Sequence, residues 1–157
     1  MKKLVLLFTC IFLLSSCASP SPYKEDVSVS ELCNTVRDHW DGFLLDSSSL
    51  LADYFTLPEG IREHALLYRG ETDSLDEIGF FKVDKGNANA LAVQLREEYL
   101  FPSYEKNRTF YDSYMPNETP KLKNAEVRVF GNYVVYAILS ETDKTTLFRL
   151  LEKKLAA

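Results

Sequence analysis

The chain has 157 residues, a formal net charge of −5 and 46% hydrophobic residues. This length suits one domain with a genuine buried core. No basic stripe is present, and the acidic balance disfavours nucleic acid as a partner, since nucleic acid binding depends on Lys and Arg that neutralise phosphates. The same balance disfavours adsorption of the protein surface to anionic lipid.

The first 16 residues have the layout of a bacterial signal peptide. Lys2-Lys3 is a short positive region, and the apolar run Leu4–Leu14 is shorter than the roughly 20 residues that span a bilayer. The sequence Leu14-Ser15-Ser16-Cys17 resembles the bacterial lipobox. This resemblance implies that Cys17 receives a diacylglyceryl group and becomes the first residue of the mature protein. An ordinary secretory signal with an incidental cysteine is the alternative.

The chain after the signal peptide divides into an anchor and one domain. A diacylglyceryl group carries two acyl chains, which hold a protein at a bilayer far more firmly than one chain. We therefore expect Cys17 to anchor the protein at the outer, extracytoplasmic face of the cell membrane. Residues 17–27 comprise this cysteine and a Pro-rich, polar tether, and residues 28–157 form a single domain. The mature chain keeps 16 basic and 23 acidic side chains, a net charge near −7.

Two helices are expected at the start of the domain. The first runs from Ser28 to about Asp41, and Ser28 with Glu31 gives it a capping box. Its apolar residues recur at helical spacing, so we expect Trp40 to be buried. A second, shorter helix is expected over Ser47–Phe55.

The middle of the chain predicts a pair of strands followed by a long helix. Glu63–Arg69 and Glu77–Val83 are rich in aromatic and β-branched residues and are separated by a polar stretch. A helical pattern begins at Asn87 and continues to about Tyr114. Pro102 must kink or interrupt this helix, because it lacks the N–H donor and clashes with the preceding turn.

The clearest hairpin comes near the end of the chain. Two β-rich runs flank Gly131-Asn132, a two-residue turn that suits positive φ angles. Glu141–Leu155 then predicts an amphipathic helix. The element order is α-α-β-β-α-β-β-α, with hairpins between neighbouring strands. We therefore expect an α+β fold in which a small antiparallel sheet of about four strands and two hairpins is covered by helices.

Several segments of this pattern resemble those of a known family. The lipobox is followed by "DEIGFFKV" at Asp76–Val83, by Tyr114-Met115-Pro116 and by "GNYVVYAIL" at Gly131–Leu139. Over Ser28–Leu155 the chain resembles a family of Gram-positive bacterial lipoproteins built on domain of unknown function 4358. The resemblance implies a single extracytoplasmic α+β domain and no reaction, cofactor or catalytic residue. "FPSY" at Phe101–Tyr104 departs from the uninterrupted helix that we expect of the family.

The residue types that carry catalysis are sparse. His39 and His64 have no partner at metal-binding spacing. Since Cys10 leaves with the signal peptide and Cys17 takes lipid, Cys33 is left without a disulfide partner. His39 beside Asp41 could act as a base, but a histidine at a helix end is more simply explained by the helix dipole. Cys33 could be a nucleophile, but its place on an apolar stripe favours a small buried hydrophobe. We expect no catalytic residue, no metal and no cofactor.

One segment suggests a binding surface. Between Tyr99 and Tyr114 there are six aromatic residues with basic residues among them, a composition that suits glycan, peptide or protein contacts. We favour the simpler interpretation that Tyr99, Phe101 and Phe110 pack on the sheet. The candidate binding surface is then formed by partly exposed residues: Tyr104, Arg108 and Tyr111.

These observations predict a non-enzymatic binding or interaction module of the cell envelope, with a protein, peptide or cell-wall partner. One alternative is an envelope enzyme or enzyme accessory that acts on cell-wall or peptide substrates. A deep pocket that gathers His64 with several carboxylates would favour that alternative. A small-ligand binder with a closed apolar cavity is a third interpretation.

Overall fold

The computed structural model describes residues 21–46, 51, 55–71 and 73–157. The signal peptide and Cys17 lie outside these residues, as does most of the helix expected over Ser47–Phe55. Among the described residues, no helix is both long and apolar enough to cross a lipid bilayer. The described elements, in chain order, are α1 (Val29–Arg37), β1 (Phe43–Leu45), β2 (Ile61–Arg69), β3 (Glu77–Val83), α2 (Ala88–Gln94), a π-helical segment (Leu95–Leu100), α3 (Phe101–Tyr114), α4 (Thr119–Lys123), β4 (Glu126–Phe130), β5 (Tyr133–Ile138) and α5 (Glu141–Leu155).

The fold class is confirmed, with one strand more than expected. The strands form a five-stranded sheet in the order β1-β2-β3-β5-β4, and every neighbouring pair is antiparallel. The additional strand, β1, has three residues, too few for an alternating pattern to be recognised. It is defined by its pairing with β2, where Phe43 lies opposite Arg69. Gly131 adopts a positive φ of 62° and makes the expected turn between β4 and β5.

Helices cover both faces of the sheet, and β5 supplies side chains to both cores. Tyr133, Val135 and Ala137 point to the core under α1 and α5. The alternate residues Val134, Tyr136 and Ile138 point to the core under α2, the π-helical segment and α3. Since β5 is buried on both faces, it is apolar throughout rather than alternating.

The first helix begins as predicted and ends earlier. The Ser28 hydroxyl accepts a hydrogen bond from the Glu31 N–H at 3.2 Å, as the capping box requires. The helix ends at Arg37, and Gly42 then takes a positive φ of 83° as the chain turns towards β1. Because Trp40 lies beyond the helix, it is half-buried at the edge of the core instead of buried.

The interruption predicted at Pro102 takes the form of a π-helical segment. Over Leu95–Leu100 the helix widens, and the Phe101 N–H donates to the Arg96 carbonyl, five residues back. Pro102 follows in the first turn of α3, where its missing N–H disrupts least. The short α4 was not predicted; its Pro120 lies in the first turn, where the missing N–H disrupts least.

Residues 22–27, which we expected to be part of the tether, pack against the domain. The Ala157 N–H donates to the Pro22 carbonyl at 3.0 Å, and the Tyr23 ring meets Phe130 edge-on at 5.6 Å. Val27 is buried, and its carbonyl accepts a hydrogen bond from the Tyr133 hydroxyl at 2.7 Å. These partners lie more than 100 residues away in sequence, so the polar composition of the segment does not reveal them.

Gly79 of β3 lies beneath the ring of Tyr136 on β5. The two residues are opposite each other, and a Cβ on Gly79 would lie 2.0 Å from Cε1 of Tyr136. Tyr136 is fully buried, so its ring has no free space into which to move. Glycine at position 79 is therefore a steric requirement of this core.

We expect Gly79→Ala to lower the free energy of unfolding by about 2–3 kcal/mol, the cost of overpacking a closed core. Urea unfolding followed by circular dichroism measures this change. Gly70→Ala is the matched control, because its Cβ would meet only the end of the exposed Leu44 side chain. That control should stay within about 0.5 kcal/mol of the wild-type protein. Equal stability of the two variants would contradict the steric requirement.

Candidate ligand-binding cleft

The three residues of the predicted binding surface do not share an exposed face. Tyr104 is buried at 8% exposure, which contradicts the partial exposure expected for it. Tyr111 is half-buried against the same core. Arg108 is exposed and lies 3.7 Å from the carboxylate of Asp112. Tyr104 follows buried Leu100 by four residues, so helical spacing places both side chains towards the sheet.

Other aromatic residues of this helix are exposed instead. Phe101, Phe110 and Tyr114 are 64%, 52% and 76% exposed, so the expectation that Phe101 and Phe110 pack on the sheet is wrong. The rings of Phe110 and Tyr114 lie 5.2 Å apart on one side of α3. Tyr99, by contrast, is buried on the sheet as expected. In this helix, burial of an aromatic side chain follows from its position around the helix axis and not from its hydrophobicity.

The histidines and Cys33 do not form a catalytic group. His39 is exposed and meets Trp40 edge-on, and His64 is exposed and stacks on Phe81. Cys33 is buried in the core under α1, and burial raises its pKa to about 11, so the thiol keeps its proton. Within the described residues, no three His, Cys, Asp or Glu side chains come together as metal ligands.

A cleft of about 330 Å³ opens between one end of the β2–β3 pair and the helix α3. Its volume lies near the lower end of the range for small-molecule sites. Apolar side chains from several elements form part of its wall, and polar and charged groups form the rest. The lining residues used below are Arg69, Asp76, Glu77, Tyr99, Ser103 and Asn107.

The carboxylate of Glu77 is held in this cleft by two tyrosine hydroxyls. Tyr136 donates to Oε1 at 2.7 Å, and Tyr99 donates to the same oxygen at 2.8 Å. Oε2 receives no hydrogen bond from the described residues. The two donors therefore fix the position of the carboxylate and leave one of its oxygens available.

The local fold explains how these three side chains meet. Glu77 is the first residue of β3, and Gly79 follows it on the same face of the strand. Because Gly79 has no side chain, the Tyr136 ring crosses β3 there and its hydroxyl reaches Glu77. The π-helical segment contributes Tyr99, whose ring lies 5.6 Å from that of Tyr136.

Burial sets the protonation of this group. It raises the pKa of Glu77, against the hydrogen bonds from Tyr136 and Tyr99, and the charge of Asp46 raises it further. Burial also raises the pKa of both tyrosines, and the charge of Glu77 adds to this effect. The hydroxyls therefore remain protonated donors, and Glu77 holds its own proton more tightly than an exposed glutamate would.

The neighbouring carboxylate, Asp76, is fully engaged. Arg69 donates to its Oδ2 at 2.9 Å, and Lys121 of α4 donates to its Oδ1 at 2.6 Å. Burial opposes the charge of Lys121, but its hydrogen bonds to Asp76 and Glu118 raise its pKa overall. Within the described part of the chain, Glu77 has no cationic partner of this kind. The cleft thus contains one paired and one unpaired carboxylate.

The sequence did not identify Glu77 as a functional residue. The sequence predicts Glu77 only as the first residue of a strand, Glu77–Val83. An acidic residue two positions before a glycine in an otherwise bulky strand was the available signal. Its meaning depends on Tyr136, 59 residues away, and Tyr99, 22 residues away.

Comparison of the chain with family models, with curated proteins and with solved structures found no match.

We expect Glu77→Gln to increase the free energy of unfolding at about pH 7. The pKa of Glu77 in the folded protein is raised above its ordinary value of 4.5, so ionisation of Glu77 destabilises the fold as pH rises above that value. Glutamine keeps an oxygen for both tyrosine hydroxyls and cannot ionise. The gain should shrink as pH falls towards about 4, where Glu77 is protonated in both states.

Urea unfolding of the two proteins across this pH range measures the effect. Glu97→Gln, an exposed carboxylate in the same π-helical segment as Tyr99, is the matched control and should change stability little. A destabilisation by Glu77→Gln that is independent of pH would contradict the assigned environment of the carboxylate.

Proposed function

We propose that this chain is a lipid-anchored binding protein of the cell envelope, with the cleft beside Glu77 as its ligand site. The observation that carries the proposal is the Glu77 carboxylate, held by Tyr99 and Tyr136 through one oxygen and without a hydrogen bond from the described residues at the other. Small-molecule sites are concave and combine apolar wall with positioned polar groups, and this cleft has both. The proposal places recognition in the cleft, which Tyr111 of the predicted surface also lines, while Tyr104 and Arg108 lie outside the residues that line it.

The environment of the Glu77 carboxylate supports this proposal. Among the described residues no cation pairs with the half-buried carboxylate of Glu77, so burial of its charge destabilises the fold while the two hydroxyls hold it in place. Tyr99 and Tyr136 are both buried, so the site is rigid before any ligand arrives. Groups of this kind concentrate at functional sites, because stability alone does not favour them.

The anchor is proposed from the lipobox and from the likeness to Gram-positive lipoproteins built on domain of unknown function 4358. Cys17 would carry the lipid on the outer face of the cell membrane. Three residues separate Cys17 from Ser21, so the four steps between them span at most about 14 Å along the chain. Since residues 22–27 belong to the domain, an anchored protein would keep its domain close to the lipid surface.

An envelope enzyme acting on cell-wall or peptide substrates is the second candidate, and Glu77 is the observation that favours it. A carboxyl group with a raised pKa in a cleft can serve as a general acid. Glycoside hydrolysis by a general acid also requires a second group nearby that acts as a base or nucleophile. The neighbouring carboxylate of Asp76 is occupied on both oxygens, and His64 lies outside the cleft-lining residues. These contacts favour binding over catalysis.

The anchor is tested by metabolic labelling with an alkyne fatty acid in a bacterium that produces the full chain. Wild-type protein should carry the label, and Cys17→Ala should lose it, because sulfur is the atom that accepts the lipid. Cys10→Ala is the matched control and should remain labelled. Label that persists in Cys17→Ala, or is absent from the wild type, would refute the anchor.

The cleft is tested by blocking it with Ser103→Trp, since Ser103 of α3 lines the cleft. Ser113→Trp, on an exposed position of the same helix, is the matched control. Low-molecular-weight extract of the cell envelope is mixed with each full-length protein in detergent, and saturation-transfer NMR detects bound compounds. Wild type and Ser113→Trp should transfer saturation to the same compounds, and Ser103→Trp should not. Identical spectra for all three proteins would refute the cleft as the ligand site.

A further inference from the structure

We infer that the ligand presents a primary ammonium group, carried on a short aminoalkyl chain, to Oε2 of Glu77. This inference rests on the proposed function and specifies the chemistry that the cleft recognises. It follows from the balance of charge, from the hydrogen bonds that remain available and from the shape of the wall.

The balance of charge favours a cation. Arg69, Asp76 and Glu77 are the charged residues that line the cleft. Arg69 is paired with Asp76, and Asp76 also holds Lys121, so this group is neutralised internally. Glu77 is then the charge in the cleft that has no counter-ion among the described residues. An anionic ligand would meet this carboxylate with no unpaired lining cation to offset it.

The available hydrogen bonds favour ammonium over guanidinium. A guanidinium group pairs best with a carboxylate when each of its two donors reaches a separate oxygen. Tyr99 and Tyr136 both donate to Oε1, so one oxygen is already crowded. An ammonium group is a compact point charge that can pair with Oε2 alone. Its remaining N–H donors can reach water or other groups that line the cleft, such as the side chain of Asn107.

The wall of the cleft favours an alkyl chain behind the ammonium. Four aliphatic side chains line it and come from different elements, so methylene groups would contact them along its length. Burial of each methylene contributes about 0.8 kcal/mol. A cleft of about 330 Å³ admits a chain of this size more readily than a large ring system. The aliphatic lining residues are Leu75, Leu100, Leu122 and Ile138.

The test compares n-butylamine with 1-butanol, a neutral probe of the same shape. Both are titrated into the full-length protein in uncharged detergent, and NMR chemical shifts report binding. At a pH where Glu77 is ionised, the amine should bind at least about tenfold more tightly than the alcohol. Glu77→Gln should abolish this preference, and Glu97→Gln should keep it. Equal binding of the two probes, or a preference that survives in Glu77→Gln, would overturn the inference.

The pH dependence gives a second measurement. Amine affinity should fall as pH drops through the titration of Glu77, with release of a proton on binding near that pH. The groups that act on Glu77 are Tyr136 of β5, Tyr99 of the π-helical segment and Asp46 after β1. Tyr99→Phe removes one donor and keeps the ring, so amine binding should begin at a higher pH in this variant. An unchanged pH profile in Tyr99→Phe would count against Glu77 as the recognition group.

The experiments distinguish failure of the cleft as the ligand site from failure of the ammonium inference. Loss of extract binding in Ser103→Trp, together with equal binding of butylamine and butanol, would leave the cleft as the site and exclude the ammonium. Unchanged extract binding in Ser103→Trp would remove the cleft itself from consideration.

Discussion

The contact between the Tyr136 ring and the Cα of Gly79 organises the centre of this molecule. It brings two central strands into a register in which one aromatic ring crosses the neighbouring backbone. The same contact carries the Tyr136 hydroxyl to Glu77. The core of the sheet and the polar group of the cleft therefore depend on one pair of residues, and a change in either would alter both stability and the site.

Asp76 and Glu77 show how adjacent residues of the same charge can have different roles. Asp76 is buried and binds Arg69 and Lys121, so it joins the sheet to α4 as a structural cross-link. Glu77 lines the same cleft and meets neutral donors only among its described hydrogen-bond partners. The first carboxylate is neutralised by the fold, and the second is oriented by it. This difference is the physical basis for regarding Glu77 as a recognition group.

Local signals in the sequence predicted most of the architecture. The cap at Ser28, the turn at Gly131 and the bounds of α5 depend on neighbours within a few residues, and the structure has them as expected. The short strand β1 and the site were not predicted, since each is defined by contacts between distant parts of the chain. Burial of Tyr104 also depends on the position of its side chain around a helix that includes a π turn.

The two ends of the described chain lie side by side, which has a practical and a mechanical consequence. The Lys24 N–H donates to the Leu155 carbonyl at 2.7 Å, and Tyr23 bridges Ala156. In an anchored protein, a C-terminal affinity tag would therefore sit next to the membrane and not at the far end of the domain. Force on the lipid would also load the contacts that residues 22–24 make with the chain after Lys154 and with Phe130 of β4, so these contacts would hold the domain to its anchor.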